Sequence, residues 1–156
     1  MKKILMIACM IIASTAAFAQ AGKTTIGIHG DYMLDDPNNF GIGANMGYEF
    51  IDNVRGVAEF NYLLKKDHVS YWNVDLNAEY LFKFGQLVVY PLVGIDLTGW
   101  KVSYAGHSDD DSKLGLNIGG GAEYWLSNSL ALKAEYNYKT QYDGWSLLKF
   151  GVVIPF

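Results

Sequence analysis

Apolar and polar side chains alternate along almost the whole chain from Thr24 onward. The stretch 40–50 shows this most clearly, because its even positions are apolar and its odd positions are Gly, Asn or Glu. A period of two places successive side chains on opposite faces of a β-strand. The pattern predicts eight strands, at residues 24–32, 40–50, 54–64, 69–82, 87–100, 113–126, 130–140 and 145–156.

The predicted connections are short enough for an antiparallel meander, in which each strand pairs with the next. Tight turns are expected at 51–53, 83–86 and 127–129, intermediate ones at 65–68 and 141–144, and longer polar loops at 33–39 and 101–112. Alternation alone does not say which face is outside. A soluble, lipocalin-like carrier would bury the apolar face, whereas a membrane barrel would expose it to lipid.

Glycine placement favours the membrane barrel. Eight glycines share the face of the polar side chains: Gly41, Gly43, Gly47, Gly94, Gly115, Gly119, Gly121 and Gly151. Glycine weakens a water-facing strand, but it leaves room for large polar side chains inside a narrow eight-stranded barrel.

Aromatic side chains of the apolar face cluster near both ends of the predicted strands. One group comprises Tyr32, Phe40, Tyr62, Trp72 and Tyr138, and the other comprises Tyr48, Phe50, Tyr80, Phe82, Tyr124 and Phe156. Two aromatic belts around an aliphatic band match the two interfaces of a bilayer. Segments of about ten residues also suit a tilted bilayer crossing. We therefore predict an all-β fold, an eight-stranded antiparallel up-and-down transmembrane β-barrel.

The N-terminus has the features of a secretory signal peptide. A positive start at Lys2 and Lys3 precedes 14 mostly apolar residues at 4–17, and Ala17-Phe18-Ala19 presents small residues for cleavage. We expect residues 1–19 to be removed and residues 20–156 to form the barrel domain. Cleavage would leave ten cationic side chains against sixteen carboxylates, a net charge of −6 that argues against nucleic acid as a partner.

The last strand carries a second targeting pattern. Lys149, Gly151, Ile154 and Phe156 give a polar residue, a glycine and alternating apolar positions that end on an aromatic. This resembles the signal by which bacterial outer-membrane barrels engage the barrel-insertion machinery. The resemblance implies that this machinery is a partner of the C-terminal strand.

The pair of segments 119–126 and 130–138, with Glu135-Tyr136, resembles a strand pair of the OmpA/OmpX-type outer-membrane β-barrel family, and 91–97 resembles its fifth strand. The resemblance implies a porin-like closed barrel in the cell outer membrane of a Gram-negative bacterium. It also implies that both ends and the short turns face the periplasm. We expect no wall-binding domain after Phe156.

The predicted lumen holds most of the charge. Its inward positions on this register are Glu49, Arg55, Glu59, Asp75, Glu79, Asp96, Glu123, Lys133, Glu135, Lys139 and Lys149. Eight strands leave an interior just wide enough for side chains, so we expect a filled, ion-paired plug and not an ion path. Arg55, Lys133 and Lys149 are the expected partners of the surplus carboxylates, and His29 and Asp31 form a buried polar pair.

Two outer segments are candidates for contacts. His107, Asp109, Asp110 and Asp111 lie in the longest predicted loop, where the carboxylates lack the spacing of a metal loop and are expected to be solvated. They could alternatively meet a cation or a basic partner. Lys65 and Lys66 at another rim could contact lipopolysaccharide phosphates.

His68 and Ser70 share one face at the same rim. They resemble the His-x-Ser fragment of small lipid A deacylases, but no outward-facing Glu of the predicted strands completes it. We expect no enzymatic activity and no cofactor or metal. The predicted function is that of an integral outer-membrane barrel with a structural or surface-interaction role through its extracellular loops. Outer-membrane lipid, lipopolysaccharide and an unknown extracellular ligand are the expected partners, and the alternatives are a narrow porin or transporter of small solutes, or a lipid A-modifying enzyme.

Overall fold

A computed structural model describes residues 23–35, 38–66 and 68–156, without the side chains of residues 65 and 66. The expected signal peptide, residues 1–19, lies outside these residues. No helix in the described ranges is long and apolar enough to cross a membrane. The described chain forms β1 (Thr24–Met33), β2 (Asn39–Ile51), β3 (Val54–Lys66), β4 (Val69–Tyr80), β5 (Phe82–Phe84), β6 (Leu87–Tyr104), β7 (His107–Ser127), β8 (Leu130–Lys139) and β9 (Trp145–Pro155).

These strands close into a barrel. Each pairs antiparallel with its neighbour, and β1 also pairs with β9. Short β5 follows β4 after Leu81, and both pair with β6, so together they form one barrel strand and the wall has eight. The prediction of a closed eight-stranded antiparallel meander is confirmed.

The barrel has two distinguishable ends. Thr25 pairs with Pro155, so the start of β1 and the end of β9 meet at one rim, here called the terminal end. The turns after β2, β5 and β7 also lie there. The opposite rim, the distal end, carries the connections after β1, β3, β6 and β8.

Apolar side chains point away from the barrel. Ile28 and Ile42 are 62% and 63% exposed, whereas the side chains of Lys139 and Lys149 are fully buried. Burying lysine while exposing isoleucine is stable only where the outside is lipid. The structure therefore contradicts the soluble-carrier alternative.

Aromatic rings gather at both rims of this apolar surface. Tyr32 and Phe40 contact each other across β1 and β2 at the distal end, with ring centroids 4.9 Å apart. At the terminal end Tyr80 lies 5.0 Å from Phe82, and Tyr48 lies 5.0 Å from Phe50. The two predicted belts are thus present.

A neighbouring strand and the packed lumen leave no room for a side chain at two of the inward glycines. A Cβ on Gly119 would overlap the carbonyl oxygen of Tyr136 on β8. A Cβ on Gly43 would overlap the ring of His29 and the side chain of Asn61. Any larger residue at these positions would push the wall or the lumen contents apart.

The prediction of a loop at 101–112 is wrong. Strands β6 and β7 continue as a paired hairpin, here called the distal hairpin (residues 99–112), and pair without a break up to Tyr104 and His107. Ala105 and Gly106 make the turn with φ of 47° and 83°, as a tight two-residue hairpin turn requires. Residues 99–102 still pair with β4, so the part of the hairpin that rises past the wall begins after Val102. There the apolar–polar alternation disappears, because neither face meets lipid or lumen.

Candidate functional site

The lumen is filled by ion pairs arranged in layers. Nearest the terminal end, the Arg55 guanidinium donates to two carboxylates, with Nε 2.7 Å from Glu79 Oε2 and Nη2 2.6 Å from Glu123 Oε1. The Tyr90 ring centroid lies 5.3 Å from Arg55 Cζ. This layer therefore ties β3, β4, β6 and β7 together across the barrel.

Two lysines carry the middle of the network. Lys149 on β9 contacts Glu59, and its Nζ lies 3.7 Å from Asp75 Oδ2 and 3.6 Å from Glu135 Oε1. Lys133 Nζ lies 2.7 Å from Glu135 Oε2, which also accepts a 2.8 Å hydrogen bond from the Tyr90 hydroxyl. The desolvated charges are thus compensated by opposite charges and by hydrogen bonds.

Lys139 is the cation that sequence reasoning did not single out as a partner. Its Nζ lies 2.6 Å from both Asp75 Oδ1 and Asp96 Oδ2, and Thr98 Oγ1 donates to Asp96 Oδ1 at 2.7 Å. The alternation along β8 indicates this inward position, because residue 139 shares the face of Lys133 and Glu135. The described lumen buries four cations and seven carboxylates, so three cations alone leave many acids unpartnered.

His29 and Asp31 lie side by side in the lumen, with Nε2 to Oδ1 at 3.3 Å. The same His29 Nε2 is 2.7 Å from Asn61 Oδ1, and its Nδ1 is 3.3 Å from Asn45 Nδ2. Its contacts are with amides and one carboxylate, and no nucleophile is in reach among these partners. This arrangement is a buried polar pair with amide partners.

Glu49 differs from the other residues expected in the network. Its Oε1 accepts hydrogen bonds from Lys83 Nζ at 2.7 Å and from the Asn53 backbone N–H at the rim of the terminal end. The register of β2 shifts between Glu49 and Ile51, where the strand ends. Glu49 therefore belongs to a surface pair and not to the plug.

Apolar clusters cover the network at both ends. The terminal cluster consists of Leu81, Val88, Tyr90 and Leu92 with Trp125 packed against them. The distal cluster consists of Leu63, Trp145 and Leu147 with Met33 and Tyr71. Apolar side chains therefore cap the ion-paired plug at both ends of the described lumen.

The predicted contact residues lie elsewhere. His107, Asp109, Asp110 and Asp111 are exposed on the distal hairpin, and no group of three potential metal ligands occurs among the described residues. In the C-terminal strand, Lys149 and Gly151 face the lumen, while Ile154 and Phe156 are 46% and 75% exposed on the outside. The side chains of Lys65 and Lys66 are outside the described part of the chain.

A closed wall that is apolar outside and ion-paired inside defines a transmembrane β-barrel. The chain belongs to the family described as the outer membrane protein beta-barrel domain, whose model matches residues 5–153. It is an outer-membrane protein of the OmpA/OmpX type, as the sequence predicts. No curated protein matches the chain.

Solved structures show the same fold. The chain is similar to the N-terminal β-barrel domain of OprF from Pseudomonas aeruginosa, with 20% identity and a TM-score of 0.70 over 86% of this chain and 99% of that one. It is similar to Ail, the attachment invasion locus protein of Yersinia pestis, with 20% identity and a TM-score of 0.64 over 86% and 97%. Neisserial surface protein A gives 16% identity and a TM-score of 0.70 over 86% and 97%.

Proposed function

We propose that this protein is a non-enzymatic, non-conducting outer-membrane barrel that presents its distal end to the outside and makes surface interactions there. The buried lysines carry the first half of the proposal. Lys139 and Lys149 are both fully buried, and each meets its carboxylates at the centre of the lumen. A narrow porin needs a continuous water path past such charges, and the clusters at both ends also oppose it.

The distal hairpin supports the second half. Its tip, beyond the last pairing with β4 at Val102, projects past the wall as a paired ribbon and presents Tyr104, His107 and Asp109 to solvent. Projecting segments on a rigid scaffold are where binding residues concentrate. The similar Ail is by name an attachment invasion locus protein.

The experiment compares wild type with a trimmed variant in which residues 101–110 are replaced by Asn-Gly. Trp100 and Asp111 are a cross-strand pair, so a two-residue turn can close the shortened hairpin there. We expect both proteins to fold and to show no stable single-channel steps in planar bilayers. Only cells with the intact hairpin should adhere to host-cell monolayers better than the deletion strain.

Each arm can contradict one half of the proposal. Sizeable, stable conductance steps from wild type would establish a pore. A purely structural role would give two results. Cells with the intact hairpin and cells with the trimmed variant would adhere equally, and the trimmed variant would restore the detergent resistance that the deletion strain lacks.

The enzyme alternative lacks an oriented base. His68 lies in a turn with φ of 71°, and its ring contacts Tyr104 edge-on with centroids 6.0 Å apart. A histidine that acts as a general base is oriented by a hydrogen bond to a third group, and the carbon edge of an aromatic ring does not accept one. We expect lipid A from cells expressing wild type and Ser70→Ala to have the same mass spectrum. Loss of an acyl chain that depends on Ser70 would contradict a non-enzymatic role.

The proposed partners are outer-membrane lipid, lipopolysaccharide and the insertion machinery. The outward position of Phe156 suits recognition of the last strand before the barrel closes. Deleting Phe156 should lower the amount inserted in cells while leaving refolding in detergent unchanged. Normal insertion without Phe156 would exclude it from the signal.

A further inference from the structure

A cavity of about 510 Å³ opens at the distal mouth, above the plug. Four aromatic side chains line it: Tyr71, Trp100, Tyr142 and Trp145. Its charged lining residue, among the residues described, is Asp35, whose Oδ2 accepts a hydrogen bond from the Ser146 backbone N–H. Several rings around a space with a carboxylate at its edge form an aromatic cage, the arrangement that suits organic cations.

The loop after β8 is strained where it holds one wall of the cage. Tyr142, Asp143 and Gly144 follow one another with φ of 55°, 67° and 87°. Left-handed conformations at consecutive non-glycine residues are costly, and such strain concentrates at ligand sites. The Tyr142 hydroxyl is 3.4 Å from the Thr98 carbonyl oxygen, which fixes the ring at the mouth.

Charges of both signs surround the cage. The Lys113 ammonium lies 4.8 Å from the Tyr142 ring centroid, and the Lys139 ammonium lies 5.5 Å from that of Trp145. A bound cation therefore has to use the ring faces that these lysines leave open, or displace Lys113. Burial raises the pKa of the Tyr142 hydroxyl, and the negative charge of Asp111 adds to that rise. The carboxylates of Asp35 and Asp111 thus both act at this mouth.

One buried group indicates that the ligand also carries an acceptor. Trp145 is 5% exposed, and its indole N–H has no hydrogen-bond partner among the described residues. An unpaired buried donor costs free energy. A ligand oxygen recovers it only after the Trp145 ring turns its N–H into the cavity, because that nitrogen is inaccessible as the ring now lies.

We propose that the distal cavity binds a small organic cation that carries a hydrogen-bond acceptor, as in an amino alcohol, with Trp100, Tyr71 and Tyr142 around the cation and Asp35 as its counter-charge. This inference rests on the proposed surface-interaction role, because it needs the distal end on the outside of the cell.

The test is a titration of the full barrel in nanodiscs, followed through the tryptophan indole N–H resonances by NMR. The probes are choline, tetramethylammonium, which lacks the oxygen, and 3,3-dimethyl-1-butanol, a neutral isostere of choline. Choline should shift the Trp100 and Trp145 resonances saturably and leave Trp72 and Trp125 unchanged. Removing the cation–aromatic attraction should weaken binding by about tenfold or more for the neutral alcohol. Tetramethylammonium should bind without moving the Trp145 N–H to the hydrogen-bonded position.

Variants separate the cage from general effects. Trp100→Leu and Asp35→Asn should each weaken choline binding about fivefold or more, and the Asn still accepts from Ser146. Tyr104→Leu, on the same strand but outside the cavity, and Asp52→Asn, at the terminal end, should bind as wild type.

Three results would overturn the inference: no saturable shift with any cation, equal binding of choline and its neutral isostere, or unchanged binding by both cage variants. Failure here with a hairpin-dependent adhesion would leave the proposed function standing. Saturable choline binding together with open-channel conductance would support the cation site and contradict the non-conducting role.

Discussion

At the residue scale, Lys149 shows the conditions under which a charge is stable inside a membrane-spanning wall. It is fully buried, and Glu59, Asp75 and Glu135 surround its ammonium group. Burial of one ion costs several kcal/mol, which partner charges offset only when all of them are present. The network therefore fixes which strands face each other more than it adds net stability.

Removal of this cation tests that view. Lys149→Met leaves three carboxylates without it, so we expect the free energy of unfolding to fall by about 3–5 kcal/mol in urea titrations of the detergent-refolded barrel. Lys83→Met is the matched control, because Lys83 pairs with Glu49 at the surface and should cost no more than about 1 kcal/mol. Equal effects of the two substitutions would contradict a buried network.

Parity along each strand predicts which residues point inward but not which of them meet. Arg55 and Glu123 are separated by 68 positions and come together only because the barrel closes. Lys139 meets Asp75 across 64 positions for the same reason. The identity of the partners depends on stagger between strands, and no local pattern in the sequence encodes it.

At the element scale, strand packing depends on positions where a side chain would not fit. Gly119 on β7 faces the backbone of Tyr136, whereas Gly30 on β1 faces outward with its nearest neighbouring atoms 4.0 Å from a Cβ. The same residue type therefore has two roles: one allows close strand approach, and the other leaves room on the lipid side.

The substitutions Gly119→Ala and Gly30→Ala should differ accordingly. The first forces the Tyr136 carbonyl away and should lower stability by about 1–3 kcal/mol, as overpacking does. The second should change it by no more than about 0.5 kcal/mol. The measurement is the urea midpoint of each refolded variant, and a larger loss from Gly30→Ala would refute this assignment of faces.

The distal hairpin is the element that the sequence pattern predicts poorly. Alternation predicts a strand only where one face is apolar and the other polar. Ser108 and the residues that follow it on β7 up to Lys113 are exposed on both faces, so the strand continues there without that pattern. The cage is missed for a related reason. Tyr71, Trp100 and Trp145 come from three strands and lie inside the mouth only after closure.

Orientation follows from labelling the hairpin turn. The single cysteine of the chain, Cys9, lies in the expected signal peptide, so an introduced cysteine should be unique in the mature protein. Ala105→Cys should react with a membrane-impermeant maleimide on intact cells. Asn128→Cys, in the turn between β7 and β8 at the terminal end, should react only after the outer membrane is permeabilised. The reverse pattern would place the hairpin in the periplasm.

At the scale of the whole molecule, the fold follows from the different surroundings of the two faces of the barrel wall. Hydrocarbon contacts the aliphatic band, interfaces contact the aromatic belts, and the buried charges meet opposite charges and polar side chains inside the wall. This difference explains why the architecture can be predicted from sequence, since it affects every strand in the same way. Ligand specificity depends on a few residues at the distal end and leaves no periodic signal.

The most direct test is methyl NMR of the protein in nanodiscs with acyl-chain spin-labelled lipids. The methyl resonances of Ile42, Leu76 and Ile118 should broaden strongly, because these side chains are about half or more exposed on the outer wall. Those of Leu147 and Val153, which are buried inside, should stay sharp. Broadening of the second set with protection of the first would contradict the proposed orientation of the barrel wall.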